Sequence, residues 1–276
     1  MKVSTLLDRL VQFPYSSPAM SESRERNAAP RAGADEAPDT PHLSVVVPVY
    51  NEEGNLRPLL DEIRAALDGA GIDWEAVFVD DGSADDSLRV IRQLVLEEPR
   101  LHYLAFARNR GQSAAFAAGF QAARAPRIAT MDADLQNDPA DIPALLALAD
   151  QGHDLVCGIR ARRRDSFMKR VGSRIGNAVR TRLTGRTVRD TGCSLKILRA
   201  DMARAMPVFN GMHRFFPNLM LMQGATLAET PVNHRPRASG TSKYGTLDRA
   251  IAGGYDLFGM RWLLSRFVRY EIKERK

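Results

Sequence analysis

Two aspartates and a glutamine follow an apolar run near the middle of the chain and could bind a divalent cation. Asp132, Asp134 and Gln136 occur in "TMDADLQNDP", residues 130–139. Alternate residues of an extended segment point to the same side, so these three side chains can share a face. Mg²⁺ and Mn²⁺ prefer carboxylate, carbonyl and water oxygens. Such an ion could bridge a diphosphate and stabilise a leaving group, although a polar loop after a strand would explain the same residues.

Polar groups also follow two earlier apolar runs. Asp80 and Asp81 come at the end of "VFVDDGS", and Tyr50 lies in "VVPVYNEE", residues 46–53. An exposed aromatic ring with free backbone groups would suit stacking and hydrogen bonding to a nucleotide base. Each motif taken alone also fits a turn that caps the following helix.

Two basic segments come later in the chain. The first runs from Arg160 to Arg189 and contains eleven Arg or Lys residues, with Asp165 opposing them. This density of positive charge suggests contact with a phosphate or an anionic membrane. The second, "HRPRASGTSKYG" at residues 234–245, could form a lid over a phosphate group. A solvated basic helix and an ordinary Gly/Ser surface loop are the simpler explanations.

The elements that must position these residues are strands alternating with helices. The strand candidates are "LSVVVPVY", "EAVFVDD", "LHYLAF", "RIATM", "DLVCGI", "SLKIL" and "TLAETPV". The first helix candidate has Leu56, Leu59, Leu60, Ile63 and Leu67 on one face. This alternation predicts an α/β fold with a mostly parallel sheet flanked by helices. Ligands of such sheets bind beyond the carboxyl ends of the strands, where both acidic motifs fall.

Composition limits the class of protein. The chain has 276 residues, 44% hydrophobic and 26% charged, which is ordinary for a globular domain. No run approaches the ~20 apolar residues of a membrane-spanning helix. Residues 1–41 contain little to bury and are expected to be a disordered leader. Two cysteines fit a reducing cytoplasm, and a net charge of +6 indicates an anionic partner. Nucleic acid is not expected, because no nucleic-acid module is visible.

Together, the motifs resemble those of a known enzyme family. They are "VVVPVYNEE", "VDDGSADDS", "RNRGQSAAFAAG", "MDADLQNDP", "DTGCSLKI", "HRFFPNL" and "RASGTSKYG", in this order. The series resembles inverting family 2 glycosyltransferases, in particular the polyprenyl-phosphate group of dolichol-phosphate mannosyltransferase and bacterial undecaprenyl-phosphate sugar transferases. It spans roughly residues 42–260, and "DADLQ" together with "SGTSKYG" is its most specific part.

The resemblance implies a GT-A fold, with a Rossmann-like sheet in a single catalytic domain at residues 42–245. It implies a nucleotide-sugar donor, a polyprenyl-phosphate acceptor and Mg²⁺ or Mn²⁺, with Asp132, Asp134 and Arg237 taking part in catalysis. The implied donor-binding residues are Pro48, Tyr50, Glu52, Asp80, Asp81, Ala133 and Lys243, with Arg237 and Lys243 covering the donor phosphates. The implied metal ligands are Asp132, Asp134 and Gln136, and the implied acceptor-phosphate residues are Arg160, Lys169 and Ser173.

The implied reaction is transfer of one sugar at the cytoplasmic face of the plasma membrane. A lipid phosphate is already ionised at neutral pH, so positioning and leaving-group stabilisation can replace a strong general base. This agrees with the absence of an obvious catalytic histidine, since His213 and His234 are more easily explained as structural. Processive polysaccharide synthases carry Gln three residues before the Arg of "RW". This chain has Phe258 there, so transfer of a single sugar is expected.

The last segment, residues 246–276, interleaves aromatic and basic residues and is expected to be an amphipathic helix. It could lie in the membrane interface or pack on the domain. Two other functions stay open: a family 2 enzyme that uses a non-lipid glycan acceptor, and an inactive nucleotide-sugar-binding or scaffold protein. The sequence also leaves open a membrane-protein partner.

Overall fold

A seven-stranded sheet forms the centre of the molecule, as a computed structural model of the chain shows. The structure describes residues 40–160, 185, 188–235, 246–268 and 274. The strand order is β3-β2-β1-β4-β6-β5-β7. The strands are β1 (Leu43–Val49), β2 (Trp74–Asp80), β3 (Leu101–Ala105), β4 (Arg127–Thr130), β5 (Leu155–Arg160), β6 (Lys196–Arg199) and β7 (Leu227–Val232). The predicted leader, residues 1–41, falls almost wholly outside the described residues and stays a prediction.

Helices cover both faces of this sheet. They are α1 (Leu56–Gly69), α2 (Ser87–Glu97), α3 (Gln112–Ala122), α4 (Ile142–Asp150), α5 (Ala200–Arg204), α6 (Phe216–Met222) and α7 (Thr246–Arg266). Helices α1, α2 and α4 contribute to one apolar core, and α3, α5, α6 and α7 contribute to the other. Leu56, Leu59, Leu60, Ile63 and Leu67 are all buried in the first core, as their spacing predicts.

The predicted α/β fold with a mostly parallel sheet is confirmed. Strands β1 and β2 are buried along almost their whole length, which suits continuous apolar runs in a parallel sheet covered on both faces. Strand β1 pairs in parallel with β2 and with β4, so the carboxyl ends of all three strands meet at one edge. Strand β6 is the exception, since it runs antiparallel to both β4 and β5.

A buried carboxylate connects segments at the other end of the sheet, near the start of β2. Glu75 on β2 is 1% exposed and accepts hydrogen bonds from Ser44 Oγ at 2.6 Å and from Arg124 N at 2.6 Å. Arg124 Nε also donates to it at 2.7 Å. Burial alone would raise the pKa of Glu75, but these donors and the Arg124 charge outweigh burial and lower it. The carboxylate therefore links three segments: β1, β2 and the turn before β4.

Glu75→Gln should destabilise the fold by about 2 kcal/mol at pH 7, because an amide cannot accept the same charge-assisted hydrogen bonds. Since the folded pKa of Glu75 lies below its ordinary value of 4.5, its contribution is present above that pH. The contribution is lost as the pH falls through the folded pKa. Urea unfolding of both proteins at pH 7 and pH 3.5 should show a smaller difference at the lower pH. An equal difference at both would contradict this account.

Helix α7 packs with one face and exposes the other. Met260 is 1% exposed and lies in the second core, with Leu257, Leu263 and Leu264 packed against it. Its outer face presents three aromatic side chains: Tyr255, Phe258 and Trp262, exposed by 77%, 67% and 64%. The inner face packs on the domain, which was one of the two alternatives, and contact of the outer face with a membrane stays a prediction. Across the described ranges of the chain, no helix has both the length and the apolar character needed to cross a bilayer.

Candidate active site

The two aspartates of "DADLQ" lie directly beyond the carboxyl end of β4. Asp134 is buried and Asp132 is partly buried. Gln112 Nε2, at the start of α3, donates to Asp132 Oδ1 at 2.7 Å. Burial raises the pKa of Asp132 and the neighbouring Asp134 carboxylate raises it further, against smaller opposing effects of Ser194 and Lys196. Two close, poorly solvated carboxylates of this kind favour a bound cation over mutual repulsion.

Gln136 is linked to Asp134 by a bend in the chain and not by the geometry of an extended segment. Leu135 has φ +59°, in the left-handed region that bulky residues avoid, so the segment bends and does not continue as a strand. The expectation that the three side chains share a face of an extended segment is therefore wrong. The bend instead lets Gln136 N donate to Asp134 Oδ1 at 3.2 Å, while its side-chain amide reaches Arg235 O at 3.4 Å.

Three side chains that the sequence analysis did not single out surround Asp132. Besides Gln112, these are Ser194, which hydrogen-bonds to Asp132, and Lys196, whose charge acts on it. Lys196 is 2% exposed, stands opposite Thr130 on β4 and donates to Cys193 O. Ser194 and Lys196 belong to "DTGCSLKI", a motif that the sequence analysis quoted. Its contact with "DAD" depends on the antiparallel pairing of β4 and β6, which no local pattern reveals.

Asp80 and Asp81 have different environments at the end of β2. Asp80 is 1% exposed, and its Oδ1 is buried without a hydrogen-bond partner, while Oδ2 accepts from Ser83 N at 3.3 Å. Asp81 accepts from Arg110 N at 2.6 Å and from Gly111 N at 2.8 Å. Burial raises the pKa of Asp81 in spite of these two donors. Asp81 therefore holds the loop before α3, and its proposed contact with a nucleotide stays a prediction.

The loops after β1 and β2 are fastened to each other. Asn51 N donates to Ser83 Oγ at 3.0 Å, and Ala84 N donates to Asn51 Oδ1 at 2.8 Å. Glu52 N donates to Ser87 Oγ at 2.9 Å. These bonds cross between consecutive strand ends, so the edge of the sheet is a built surface and not two independent turns.

Three predicted donor residues lie along this surface. Pro48 is the sixth residue of β1 and is partly buried, while Tyr50 is 36% exposed just beyond the strand. The Glu52 carboxylate accepts from Asn55 Nδ2 at 2.6 Å. Because β1 lies between β2 and β4, these residues stand between Asp80 and Asp132. Ala133, predicted to act through its backbone, is 4% exposed.

Arg160 is paired in the structure. Its Nε donates to Asp190 Oδ2 at 2.7 Å and its second terminal nitrogen donates to Asp190 Oδ1 at 2.8 Å. The side chains are 15% and 8% exposed, so this is a well-shielded bidentate pair. An acceptor phosphate would have to share this guanidinium with Asp190. Lys169 and Ser173 lie outside the described residues, and their acceptor role stays a prediction.

The predicted lid residues Arg237 and Lys243 also lie outside the described residues. The chain just before them is firmly attached, because Arg235 pairs with Glu62 on α1 at 2.7 Å and with Asp138 at 2.9 Å. Arg235 N also donates to Gln136 O at 2.8 Å. The segment that leads into residues 236–245 therefore begins beside the "DADLQ" loop.

Within the described part of the chain, no three His, Cys, Asp or Glu side chains gather as a complete metal site. Asp132 and Asp134 supply two carboxylates, which suits an ion that takes its remaining ligands from substrate phosphate and water. A mostly parallel sheet with an acidic carboxyl edge and an unpaired buried carboxylate oxygen defines an α/β protein that binds its ligand beyond the strand ends.

Residues 44–206 match the family model described as "Glycosyl transferase family 2". The chain belongs to glycosyltransferase family 2. It is 37% identical to a dodecaprenyl-phosphate galacturonate synthase of Rhizobium johnstonii, over 88% of this chain and 72% of that protein. It is 41% identical to an undecaprenyl-phosphate 4-deoxy-4-formamido-L-arabinose transferase of Edwardsiella ictaluri, over 78% of this chain and 66% of that protein. The chain thus spans about two thirds of the length of such relatives.

Solved structures agree on the fold. The glucosyl-3-phosphoglycerate synthase of Mycobacterium tuberculosis, in complex with Mn²⁺ and uridine-diphosphate-glucose, matches with a TM-score of 0.58. The match covers 82% of this chain and 79% of that one at 19% sequence identity. At this identity the likeness establishes the GT-A fold, and the predicted fold class is confirmed.

Proposed function

We propose that this protein transfers a single sugar, with inversion and with the help of a divalent metal ion, from a UDP- or GDP-sugar to a polyprenyl phosphate. The observation that carries the proposal is the carboxylate pair Asp132 and Asp134, set at the carboxyl edge of a family 2 sheet. Two relatives named above are polyprenyl-phosphate sugar transferases, which supports this acceptor class. The reaction would take place at the cytoplasmic face of the plasma membrane.

Mg²⁺ or Mn²⁺ would be held by Asp132, Asp134 and Gln136. The donor set fits such an ion, because the Asp134 charge already disfavours ionisation of Asp132 and a cation would relieve this. When bound, the ion would offset the negative charge that develops on the leaving diphosphate. Gln112 and Ser194 would keep the Asp132 carboxylate in one orientation through their hydrogen bonds.

The donor would lie across the strand ends of β2, β1 and β4. The buried Asp80 Oδ1 has no hydrogen-bond partner and could accept from an N–H group of uracil or guanine. Tyr50 could stack on the base, with Pro48, Glu52 and the Ala133 backbone lining the rest of the nucleotide. Arg237 and Lys243, which follow the anchored Arg235, would close over the donor phosphates.

The acceptor phosphate would be positioned by Arg160, Lys169 and Ser173. Since the phosphate is ionised at neutral pH, it can attack the anomeric carbon without prior proton removal. Its charge would compete with Asp190 for the Arg160 guanidinium. Arg160 would then act by orienting the nucleophile, in line with the diphosphate leaving on the opposite side.

The aromatic face of α7 would rest on an anionic membrane surface, because Tyr255, Phe258 and Trp262 stand on its solvent side near basic residues such as Arg266. Aromatic side chains flanked by cations are typical of the membrane interface. A separate membrane-protein partner is an alternative occupant of this face.

Phe258→Ser with Trp262→Ser should lower the binding of the protein to vesicles containing phosphatidylglycerol by about tenfold, because two interfacial rings are lost. Co-sedimentation with such vesicles measures this. Leu96→Ser is the matched control, since Leu96 is 86% exposed on α2, and it should bind like the wild type. Unchanged sedimentation of the double variant, with its thermal unfolding also unchanged, would rule out α7 as the membrane contact.

A donor screen tests the proposed function against its alternatives. UDP-glucose, UDP-galacturonate and GDP-mannose would be supplied with Mn²⁺, with or without detergent-solubilised undecaprenyl phosphate, and release of UDP or GDP followed. We expect release from one donor class that depends on the lipid phosphate. Release that requires a soluble glycan would favour the non-lipid acceptor, and no release with any acceptor would favour an inactive binding or scaffold protein.

A further inference from the structure

His213 lies in a polar contact that the proposed reaction does not use. It belongs to the short 3-10 helix Met212–Phe215, and its Nδ1 lies 2.9 Å from Ser113 Oγ in the first turn of α3. Ser113 is 4% exposed, and its Oγ also accepts a hydrogen bond from Gly211 N at 3.0 Å. The serine thus holds both the backbone before the histidine and the imidazole itself.

This contact accommodates a neutral imidazole that accepts at Nδ1. Burial lowers the pKa of His213 to about 4, with further lowering by the Arg214 and Lys196 charges, so the ring is neutral at pH 7. A buried hydroxyl hydrogen needs an acceptor, and Nδ1 is in reach of the one on Ser113. A neutral ring that accepts at Nδ1 carries its proton at Nε2. In that tautomer His213 is an uncharged hydrogen-bond donor.

The position of His213 relates it to the donor site. Three consecutive residues at the start of α3 contact different segments near the carboxyl edge of the sheet. Gly111 N donates to Asp81, Gln112 Nε2 donates to Asp132, and Ser113 Oγ contacts His213 Nδ1. The charge of one side chain, Lys196, acts on both His213 and Asp132, so the imidazole and the proposed metal carboxylate lie within range of the same cation. The sugar of a nucleotide-sugar follows directly after the phosphate that such a metal holds.

We propose that His213 donates a hydrogen bond from Nε2 to a hydroxyl group of the donor sugar, and that Ser113 orients the ring for this. His213 is then a specificity-determining residue for the sugar and contributes nothing to binding of the nucleoside diphosphate. The inference rests on the proposed function, because it requires a nucleotide-sugar in the site.

Calorimetric binding in the presence of Mn²⁺ tests this with His213→Ala and His213→Gln. The probes are UDP and GDP alone, and whichever of UDP-glucose, UDP-galacturonate and GDP-mannose the wild type binds most tightly. We expect His213→Ala to weaken the nucleotide-sugar about tenfold, as loss of one hydrogen bond predicts, and the matching diphosphate by less than about twofold. His213→Gln, which keeps an N–H donor near the Nε2 position, should restore most of the nucleotide-sugar affinity.

Equal weakening of diphosphate and nucleotide-sugar would overturn the inference, because it would indicate that His213 only supports the fold. Unchanged affinity for both would also overturn it, leaving the proposed function intact. Failure of the wild type to bind any diphosphate or nucleotide-sugar would overturn the proposed function and this inference with it. Thermal unfolding of each variant separates a folding defect from a loss of contact.

Discussion

Asp132→Ala should abolish sugar transfer, with kcat/KM lowered by about 10³-fold or more even in excess Mn²⁺. Asp132 is one of the two carboxylates proposed to hold the cation, and without it Asp134 would be the only carboxylate of that pair left to hold the ion. Removing it also leaves Gln112 Nε2 without the acceptor that it now contacts at 2.7 Å. The initial rate of nucleotide release at several Mn²⁺ concentrations measures the effect.

The control is Asp61→Asn, which alters a carboxylate on α1 that is half-exposed and paired with Arg64. An exposed pair of this kind contributes little, so activity should stay within about twofold of the wild type. Asp134→Asn should behave like Asp132→Ala. Turnover unchanged by Asp134→Asn would mean that the carboxylate pair does not hold a catalytic ion. Turnover of Asp132→Ala that recovers with added Mn²⁺ would mean that Asp132 only raises metal affinity.

Gly82→Ala should destabilise the protein by about 2–5 kcal/mol, the sum of left-handed backbone strain and overpacking. Gly82 has φ +68°, and a Cβ atom there would lie 2.5 Å from the backbone carbonyl carbon of Arg108. Relief of the clash would move the loop before α3, which Asp81 holds through Arg110 N and which carries Gln112 to Asp132. Donor binding should therefore fall together with stability. Urea unfolding and UDP calorimetry measure the two effects.

Gly71→Ala is the control that separates left-handed backbone strain from the steric clash of an added Cβ atom. Gly71 has φ +66°, nearly the same backbone conformation, but nothing lies within 4 Å of its added Cβ. Its cost should be about 1 kcal/mol, with UDP affinity unchanged. If both glycine substitutions lowered the free energy of unfolding by the same amount, the close approach of Gly82 to the Arg108 backbone would not matter for stability.

Local patterns were sufficient to predict most of the sheet. Residues close together in the sequence were enough to predict three features. These are the apolar runs of β1 and β2, the buried helix face from Leu56 to Leu67, and the acidic residues at the strand ends. A parallel order follows from the alternation of strands and helices, and it placed Asp80 and Asp132 at one edge. The resemblance then narrowed the class of enzyme, which the family match confirmed.

Contacts between distant segments could not be predicted in this way. Ser194 and Lys196 reach Asp132 because β6 runs antiparallel to β4, against the parallel trend. The pairing of Arg160 with Asp190 joins residues 30 positions apart, whereas the sequence analysis gave Arg160 only a role at the acceptor phosphate. The left-handed Leu135 broke the extended geometry assumed for "DADLQ", since no residue preference marks leucine for that conformation.

The two faces of the C-terminal helix could not be assigned from the sequence. Its spacing of apolar residues fits packing on the domain, and Met260 does pack there. Its aromatic residues at 255, 258 and 262 fall on the opposite side, because they recur at helical intervals of three and four. Only the orientation of α7 on the domain decides which of the two sets faces the core.

The most direct test of the account is the product itself. The purified protein would be incubated with Mn²⁺, undecaprenyl phosphate in detergent and the radiolabelled UDP- or GDP-sugar selected by the donor screen, and the organic extract examined by mass spectrometry and NMR. The account predicts a lipid phosphate that carries one sugar, with the anomeric configuration opposite to that of the donor. A lipid-linked chain of several sugars, a retained configuration, or no lipid-soluble product from any donor would contradict it.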